Sequence, residues 1–384
     1  MHIPDAVDGH GVLLLPMADD HVKAFFGDMT KEKPKGGGSI KSVSTLSNYW
    51  SSLKFLHKEN RTAMSPAMYE WSKDFSNGYK RTVARKKDEG VMKNVEGKVP
   101  VTFTIYTLLC SASLFICSFR SHFATFIHLF VILCWNLFAR SISIAALRTT
   151  HMYWSNDMLV VDFALHKGDQ TGDAIAPKHV AANPFNPAVC PILALGLHMF
   201  CWDYREKDAN LLFLGSPYDV FSKWLPTALE KIETLGGDVT DYGTHSFRKG
   251  IASYCAGFLG GPAITAIFLR AGWSMGQIKD RYIFQTDGAD QLAGRVACGL
   301  NFNDGANFAV LPPHFPTSAV LTKEQWMAIM PMYESFPVPF QGCLPYFLAS
   351  LVYHWDWLNE KDAEGGYIVI RILLYTYSYY SLHL

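Results

Sequence analysis

Residues 244–282 read THSFRKGIASYCAGFLGGPAITAIFLRAGWSMGQIKDRY, and they bring together side chains suited to holding a phosphodiester. If the first residue begins a helix, His245 and Arg248 are three positions apart on one face, so both can reach the same anion. The guanidinium offers a planar fork that matches two phosphate oxygens. Downstream, the Trp273 indole can donate one hydrogen bond, and the phenol of Tyr282 closes the stretch.

The second half of this stretch predicts a turn followed by a short helix. Gly272 lets the chain turn, and Ser274 is a suitable N-cap. Ile278 and Tyr282, four residues apart, would then share a helix face. Each signal alone is more typical of ordinary structure, such as a surface pair, a packed turn or a half-buried tyrosine, because short motifs recur by chance. Their joint order is what indicates function.

This order resembles the catalytic domain of the tyrosine recombinases, whose members have His-x-x-Arg, then His or Trp after Gly, then a nucleophilic Tyr nine residues later. That family also has an upstream arginine and a lysine on a β-hairpin turn. The stretches FARSISIAALR and VVDFALHKGDQTG contain candidates for both. The likeness covers about residues 100–284, and it implies six catalytic residues: Arg140, Lys167, His245, Arg248, Trp273 and Tyr282.

Within that family, the chain resembles the recombinases of Crypton-type eukaryotic DNA transposons in four stretches: CWNLFARS (134–141), KGDQTGD (167–173), HVAANP (179–184) and CPILAL (190–195). One position departs from the family pattern. Most tyrosine recombinases have an acidic residue three positions after the first arginine, and here Ser143 follows Arg140 at that spacing. A hydroxyl can orient the guanidinium, but it supplies no counter-charge.

The resemblance implies breakage and rejoining of double-stranded DNA through a covalent 3′-phosphotyrosine on Tyr282, with a free 5′-hydroxyl and no ATP. Arg140 and Arg248 would hold the non-bridging oxygens and offset the charge of the phosphorane, so no metal and no cofactor is expected. His245 would act as the base and Lys167 as the acid to the leaving 5′-oxygen, and the indole would donate to the phosphate. Acid–base help of this kind contributes about 10²–10⁴-fold. Family members act as tetramers on two duplexes.

The overall composition is that of a globular protein with room for two domains. The chain has 384 residues, of which 49% are hydrophobic and 18% charged. The formal net charge is zero, although counterion release favours a basic surface in proteins that bind nucleic acids. A DNA-binding function therefore requires a local basic surface.

The densest basic segment is GYKRTVARKKDEG at residues 78–90. On its own, such a segment is typical of a solvated helix face. Beside a recombinase-like catalytic domain it predicts a helix that binds the DNA backbone. The stretch KRTVARKK also resembles a weak nuclear localisation signal. The candidate DNA-binding residues are Lys80, Arg81, Arg85, Lys86 and Lys87.

The sequence predicts a mainly α-helical protein with a small β-sheet, in the α+β class. Apolar residues recur every three or four positions after Ser42, and Ser65 followed by proline is a favourable helix start. The stretch HMYWSNDMLVVDFALHKGDQ predicts two strands around a turn, with Leu159 and Val161 alternating with their neighbours. We expect four regions: a flexible N-terminal segment (1–40), a helical DNA core-binding domain (41–99), a tyrosine recombinase catalytic domain (100–300) and a helical C-terminal appendage of unassigned role (301–384).

Residues 103–139 contain two apolar runs, FTIYTLLCSASLFIC and HFATFIHLFVILCWNLFA. These runs raise the alternative that the chain is a membrane protein. Each run has about 15–18 residues, short of the roughly 20 that span a bilayer. Arg120, His122 and His128 also interrupt the pair. The runs therefore predict buried helices and no membrane partner.

The cysteines and the N-terminus favour an intracellular protein. Eight cysteines lie mostly among apolar neighbours without C-x-x-C or Cys/His ligand spacing, so we expect reduced, buried thiols and no metal site. The N-terminal residues MHIPDAVDGHGVLLLPMADD lack a basic start and a long apolar run, which argues against a signal peptide. Together with the basic segment, they predict a nuclear location.

Three other functions stay open at the level of sequence. A transposon-derived protein that binds DNA without cleaving it would be consistent with the zero net charge and the serine at position 143. A type IB topoisomerase uses a similar set of residues, and it would relax supercoiled DNA without site preference. A membrane protein built on the two apolar runs would require detergent for extraction.

Overall fold

The computed structural model describes residues 6–8, 10, 12–31, 40–93, 97–115, 122–163, 177–200, 210–232, 238–276, 283–284 and 286–362. The chain divides into two compact units, Met1–Gly97 and Lys98–Leu384. Helices account for most of the described structure, and three short strands form one sheet. The predicted class, mainly α with a small β-sheet, is confirmed.

The first unit contains the helices α1 (Asp19–Met29), α2 (Val43–Glu59) and α3 (Pro66–Asp88). The helix start predicted at Ser65 is confirmed, because its hydroxyl accepts the backbone N–H of Met68 at 3.1 Å. The helical spacing predicted after Ser42 is that of α2, which Ser42 caps by accepting the N–H of Thr45 at 3.2 Å. The residues that recur at helical spacing form the core of this unit: Val22, Phe26, Leu46, Met68, Tyr79 and Val83.

The described structure differs from the expected flexible N-terminal segment at α1. Phe26 is buried there and meets Trp50 edge to face, with 5.8 Å between ring centroids. The hydroxyl of Ser65 donates to both carboxylate oxygens of Asp19 at 2.9 Å. The helix is therefore held by partners that follow it in the chain.

The second unit is built around α4 (Phe103–Phe115) and α5 (His122–Asn136), which are the two apolar runs of the sequence. Both are helices, and residues 124–136 of α5 are buried, as predicted. Among the described residues, no helix is long and apolar enough to cross a membrane. Six further helices complete this part: α6 (Ser141–Ala145), α7 (Pro191–Phe200), α8 (Pro217–Leu229), α9 (Thr244–Ala256), α10 (Ile264–Ala271) and α11 (Asp287–Ala297).

The sheet is antiparallel, in the order β1 (Met152–Ser155), β2 (Met158–Val161) and β3 (Lys178–Val180). The predicted pair of strands around a turn is confirmed as β1 and β2. The expected alternation of buried and exposed residues is not found, because all four residues of β2 are buried and both faces of the sheet are covered. Gly294 of α11 allows the close approach to β3, since a Cβ there would lie 2.2 Å from the His179 carbonyl oxygen.

The C-terminal region beyond residue 300 is helical in its described part, and it shares the core of the second unit. Its helices are α12 (Gly305–Phe308), α13 (Lys323–Ile329), α14 (Val338–Gln341), α15 (Leu344–Tyr353) and α16 (Trp355–Asp362). Helix α15 packs on α7 through Phe347 and Leu351, and Gly196 makes room for that contact. Trp154 of β1 stacks on Tyr346 at 3.7 Å.

Candidate functional site

Helix α9 begins at Thr244, as the sequence predicts, and carries Arg248 into the interior. The Ser246 hydroxyl accepts the N–H of Gly243 at 3.0 Å, which satisfies one donor at the helix start. A Cβ on Gly250 would lie 2.0 Å from the carbonyl oxygen of Val101, so only glycine permits this close packing. The guanidinium is consequently held below the surface, and Arg248 is only 7% exposed.

Arg248 lines a small cavity with three other basic residues, Arg140, Lys178 and Arg270. The water-accessible volume is about 40 Å³. At roughly 10–15 Å³ for one water, that is space for an anion of about the size of a phosphoryl group. The other residues that line the cavity are Phe138, Ala139, Ser143, Phe163, Leu269, Ala271 and Gly272.

The contacts of Arg248 orient its guanidinium and leave one N–H available. Its Nη2 donates to the carbonyl oxygen of Ala271, and its Cζ lies 5.4 Å from the ring centroid of Trp273. Burial, together with the neighbouring charge of Arg140, lowers the pKa of Arg248 to about 10, so the residue stays protonated at neutral pH. Its Nε is buried and has no hydrogen-bond partner among the described residues. An anion in the cavity would satisfy such a donor.

Lys178, at the start of β3, is a site residue that the sequence analysis missed. Its Nζ donates to the carbonyl oxygen of Leu137 at 3.0 Å and lies 4.7 Å from the ring centroid of Phe163. Burial is the main cause that lowers its pKa to about 7, and the charges of Arg270, Arg248 and Arg140 act in the same direction. A lysine at the first position of a three-residue strand carries no local sequence signal of a site.

Arg270, which also lines the cavity, is paired with a buried carboxylate. Arg270 Nη1 lies 2.6 Å from a carboxylate oxygen of Asp290, and the same oxygen accepts the backbone N–H of His179 at 2.6 Å and its Nδ1–H at 3.0 Å. Arg270 Nη2 donates to the carbonyl oxygens of Asn136 and His179 at 2.8 Å. This network ties together the three segments that lead into Arg140, Lys178 and α10.

Such an ion pair is missing at the other three basic residues of the cavity in the described structure. Within the part of the chain that the structure describes, no carboxylate forms an ion pair with Arg140, Lys178 or Arg248, and no acidic residue lines the cavity. Three basic side chains around a small opening make a site for an anion. Ser143, three residues after Arg140, also lines the cavity.

The predicted catalytic residues are brought together only in part. Arg140 and Arg248 line the cavity, and Trp273 packs on the second of them. His245 is exposed on α9 and is not among the residues that line the cavity. A spacing of three leaves it about 60° from Arg248 around the helix, enough to turn one side chain outward while the other is buried. Lys167 and Tyr282 lie outside the described residues.

The five candidate DNA-binding residues all lie on the C-terminal half of α3, in the first unit. Lys80 and Arg81 are exposed, and Arg85 is exposed at 3.9 Å from Glu89. Lys86 and Lys87 are half-buried near the end of the helix. Their role in DNA binding stays a prediction.

The burial of Lys178 predicts that its replacement stabilises the protein. Because the folded state lowers the pKa from 10.5 to about 7, the cost of burying the charge is fully present below pH 7 and disappears as the pH rises toward 10.5. At about 1.4 kcal/mol per pKa unit, and allowing about 1 kcal/mol for the lost hydrogen bond, we expect Lys178→Met to raise the free energy of unfolding at pH 7 by about 2 kcal/mol or more. Urea unfolding at several pH values would measure it, and an advantage that does not shrink from pH 7 to 10 would contradict the assignment.

Comparison with known proteins adds little at the level of sequence. No protein-family model matches the chain, and no curated protein matches it. Among solved structures, the chain is similar to a complex of a Flpe mutant with a DNA Holliday junction. The TM-score is 0.43 with 9% sequence identity, over 77% of this chain and 73% of that chain.

Proposed function

We propose that this protein cleaves and rejoins DNA through a covalent 3′-phosphotyrosine formed by Tyr282. The observation that carries the proposal is the cavity, in which Arg140, Lys178 and Arg248 converge from distant parts of the sequence with no carboxylate partner among the described residues. Lys178 and Arg248 are buried and Arg140 is half-buried, and such a group of cations is unfavourable unless an anion joins it. A DNA phosphate supplies that charge, and the sequence order of these residues resembles the tyrosine recombinases.

In the proposed reaction the two arginines bind the non-bridging oxygens of one phosphodiester. The Tyr282 oxygen attacks phosphorus, the bond from phosphorus to the 5′-oxygen breaks, and the phenol loses its proton to a base, for which His245 is the candidate. Charge on the equatorial oxygens grows in the transition state, and Arg140 and Arg248 offset it. Trp273 holds Arg248 in place by packing on its guanidinium.

Four stretches of the sequence resemble the Crypton-type recombinases, and α3 carries the densest basic segment of the chain. We propose a recombinase of the Crypton type, acting in the nucleus as a homo-tetramer on two DNA duplexes. The exposed cations of α3 would grip the DNA backbone in this assembly.

The proposed function is tested with nicked DNA substrates that release a short strand after cleavage and so trap the covalent complex. Purified protein is incubated with DNA that carries candidate element ends, and the products are separated on a denaturing gel. We expect a protein–DNA adduct, with the modified peptide mapping to Tyr282. DNA that is bound without adduct formation would overturn the proposal, and relaxation of supercoiled plasmid without site preference would favour a type IB topoisomerase.

A DNA-binding protein without cleavage activity is the second candidate, and one observation favours it. Ser143 lines the cavity beside Arg140, where an acidic residue would supply a counter-charge in most tyrosine recombinases. If the loss of that acid has made the protein inactive, Ser143→Glu is expected to restore adduct formation that the wild type lacks. Adduct formation by the wild type excludes this candidate.

The basic residues of α3 give a separate prediction about affinity. If Lys80 and Arg81 contact phosphates, the double replacement by Ala is expected to reduce the slope of log affinity against log salt by about 0.9 for each lost contact. The matched control is the double replacement of Lys54 and Lys58, two exposed lysines of α2 in the same unit. Fluorescence anisotropy with labelled duplex DNA at four salt concentrations would measure the slopes, and equal slopes for the two variants would refute the assignment.

A further inference from the structure

We propose that an aromatic pocket in the first unit binds a single unpaired base of DNA. The pocket lies between α2 and α3, over Phe26 of α1, and all of its residues belong to the first unit. This inference rests on the proposed binding of DNA, and not on strand cleavage. Unpaired bases arise in the proposed reaction, because a strand that joins a second duplex must first leave its own.

Five aromatic residues line the aromatic pocket. Phe26 is only 3% exposed, and its ring centroid lies 5.8 Å from that of Trp50 and 6.2 Å from that of Trp71, edge to face in both cases. Trp71 stacks on Phe75 at 4.8 Å, and Phe75 stacks on Tyr79 at 6.3 Å. Both indoles are half-buried. Two indoles that pack on the same buried ring and keep part of their surface accessible can stack on a planar ligand.

The size and the lining of the aromatic pocket suit a small, neutral group. Its water-accessible volume is about 70 Å³. At roughly 10–15 Å³ for one water, this is space for about five waters, or ~150 Å³ of liquid, which is the scale of one nucleobase. None of the described residues that line it is charged. Besides the five aromatic residues they are Val43, Leu46, Ser47, Ser72 and Ser76.

The three serines add hydrogen-bonding groups to the aromatic pocket. Ser47 is exposed and Ser76 is half-buried, so both hydroxyls are accessible to a ligand. The hydroxyl of Ser72 donates to the carbonyl oxygen of Tyr69 at 2.9 Å and can still accept a hydrogen bond. A hydroxyl both donates and accepts, so it can pair with the polar edge of any base that stacks on the indoles.

The charge beside the aromatic pocket decides between a base and an organic cation, which aromatic rings can also bind. Ser72, Ser76 and Lys80 follow one another at a spacing of four on α3, so Lys80 lies one turn beyond the lining on the same helix face. Lys80 is exposed. Its ammonium repels a cation in the pocket, whereas it attracts the phosphate of a nucleotide whose base stacks there. Sites for unpaired nucleic acid combine these two elements, stacking rings and a basic surface.

Two abasic DNA strands that differ by one base test the inference. The full-length protein is titrated into a short, end-labelled abasic strand, and into the same strand with one thymine at its centre. Both strands carry the same phosphates, so a difference in affinity reports the base alone. We expect the wild type to bind the strand with thymine about 10-fold more tightly, as measured by fluorescence anisotropy.

Four variants separate the aromatic pocket from the basic surface. Ser47→Phe fills the pocket and leaves its aromatic rings in place, so it is expected to abolish the preference for the strand with thymine. Ser51→Phe is the matched control, an exposed residue of α2 outside the lining, and it is expected to keep the preference. Trp71→Leu is expected to lose it as well. Lys80→Ala is expected to weaken binding of both strands equally, because its contact is with phosphate.

A fluorescent base shows whether the bound base is stacked. With 2-aminopurine at the centre of the abasic strand, the wild type is expected to quench the fluorescence, and Ser47→Phe is expected to leave it unchanged. Equal affinity for the strands with and without the base would overturn the inference, and so would a preference that survives in Ser47→Phe. Binding of tetramethylammonium to the pocket without any preference for the base would overturn it in favour of an organic cation.

The result is independent of the adduct assay, because these strands are bound and not cut. A preference for the base in a protein that forms no adduct supports the aromatic pocket while the proposed cleavage fails. Adduct formation by a protein without this preference supports the proposed cleavage, and only the inference about the aromatic pocket fails.

Discussion

Replacement of Arg248 by Ala is expected to slow covalent adduct formation by about 10²–10³-fold while DNA affinity falls much less. Affinity is spread over many phosphate contacts, whereas the guanidinium in the cavity acts on the single phosphate where charge develops. Arg248→Lys keeps the charge but removes the planar fork, so we expect it to recover only part of the rate. Single-turnover cleavage with saturating protein measures the chemical step directly.

The control for Arg248 is Lys223→Ala, which removes one positive charge from the exposed face of α8. It is expected to leave the cleavage rate unchanged. The Arg248→Ala protein is also expected to fold, because the lowered pKa of Arg248 indicates that its charge is unfavourably buried. Equal losses of affinity and of cleavage rate would contradict the role of Arg248 at the reacting phosphate.

The parts of the site that depend on the order of residues along the chain could be predicted from the sequence. The start of α9 at Thr244 and the position of Arg248 one turn into it follow from local spacing. The upstream Arg140 was found by its motif, and the structure brings it to the same cavity. His245 was expected beside Arg248, but in the structure it lies on the exposed side of α9. Helical spacing alone does not determine which face of a helix is buried.

Lys178 was missed because nothing local marks it. Its burial results from the pairing of β3 with β2 and from the contact of β3 with α11, which are both remote in sequence. The same reasoning applies to α1, whose aromatic partners Trp50 and Phe75 come later in the chain. The helix start at Ser65 was predicted because a cap depends on three or four adjacent residues only.

Asp290→Asn is expected to reduce the free energy of unfolding at pH 7 by about 3–5 kcal/mol. Asp290 and Arg270 are almost completely buried, at 1% and 0% exposure, so the substitution leaves a buried guanidinium without its counter-charge. Burial by itself raises the pKa of Asp290, but the charge of Arg270 and the hydrogen bonds from His179 and Arg270 outweigh it and hold the pKa below its ordinary value. The stabilisation is therefore present above about pH 4 and is lost as the pH falls through the lowered pKa.

Urea titration of the full chain, with hydrogen exchange of the α9, α10 and α11 amides as the readout, would measure this loss. Asp219→Asn is the matched control: an exposed carboxylate in the first turn of α8, where the change is expected to cost no more than about 1 kcal/mol. The double variant Arg270→Met with Asp290→Leu is expected to be more stable than Asp290→Asn alone, because it removes both charges together. If the double variant is less stable than the single one, the hydrogen bonds of Arg270 to Asn136 and His179, and not the ion pair, hold β3 against the rest of the site.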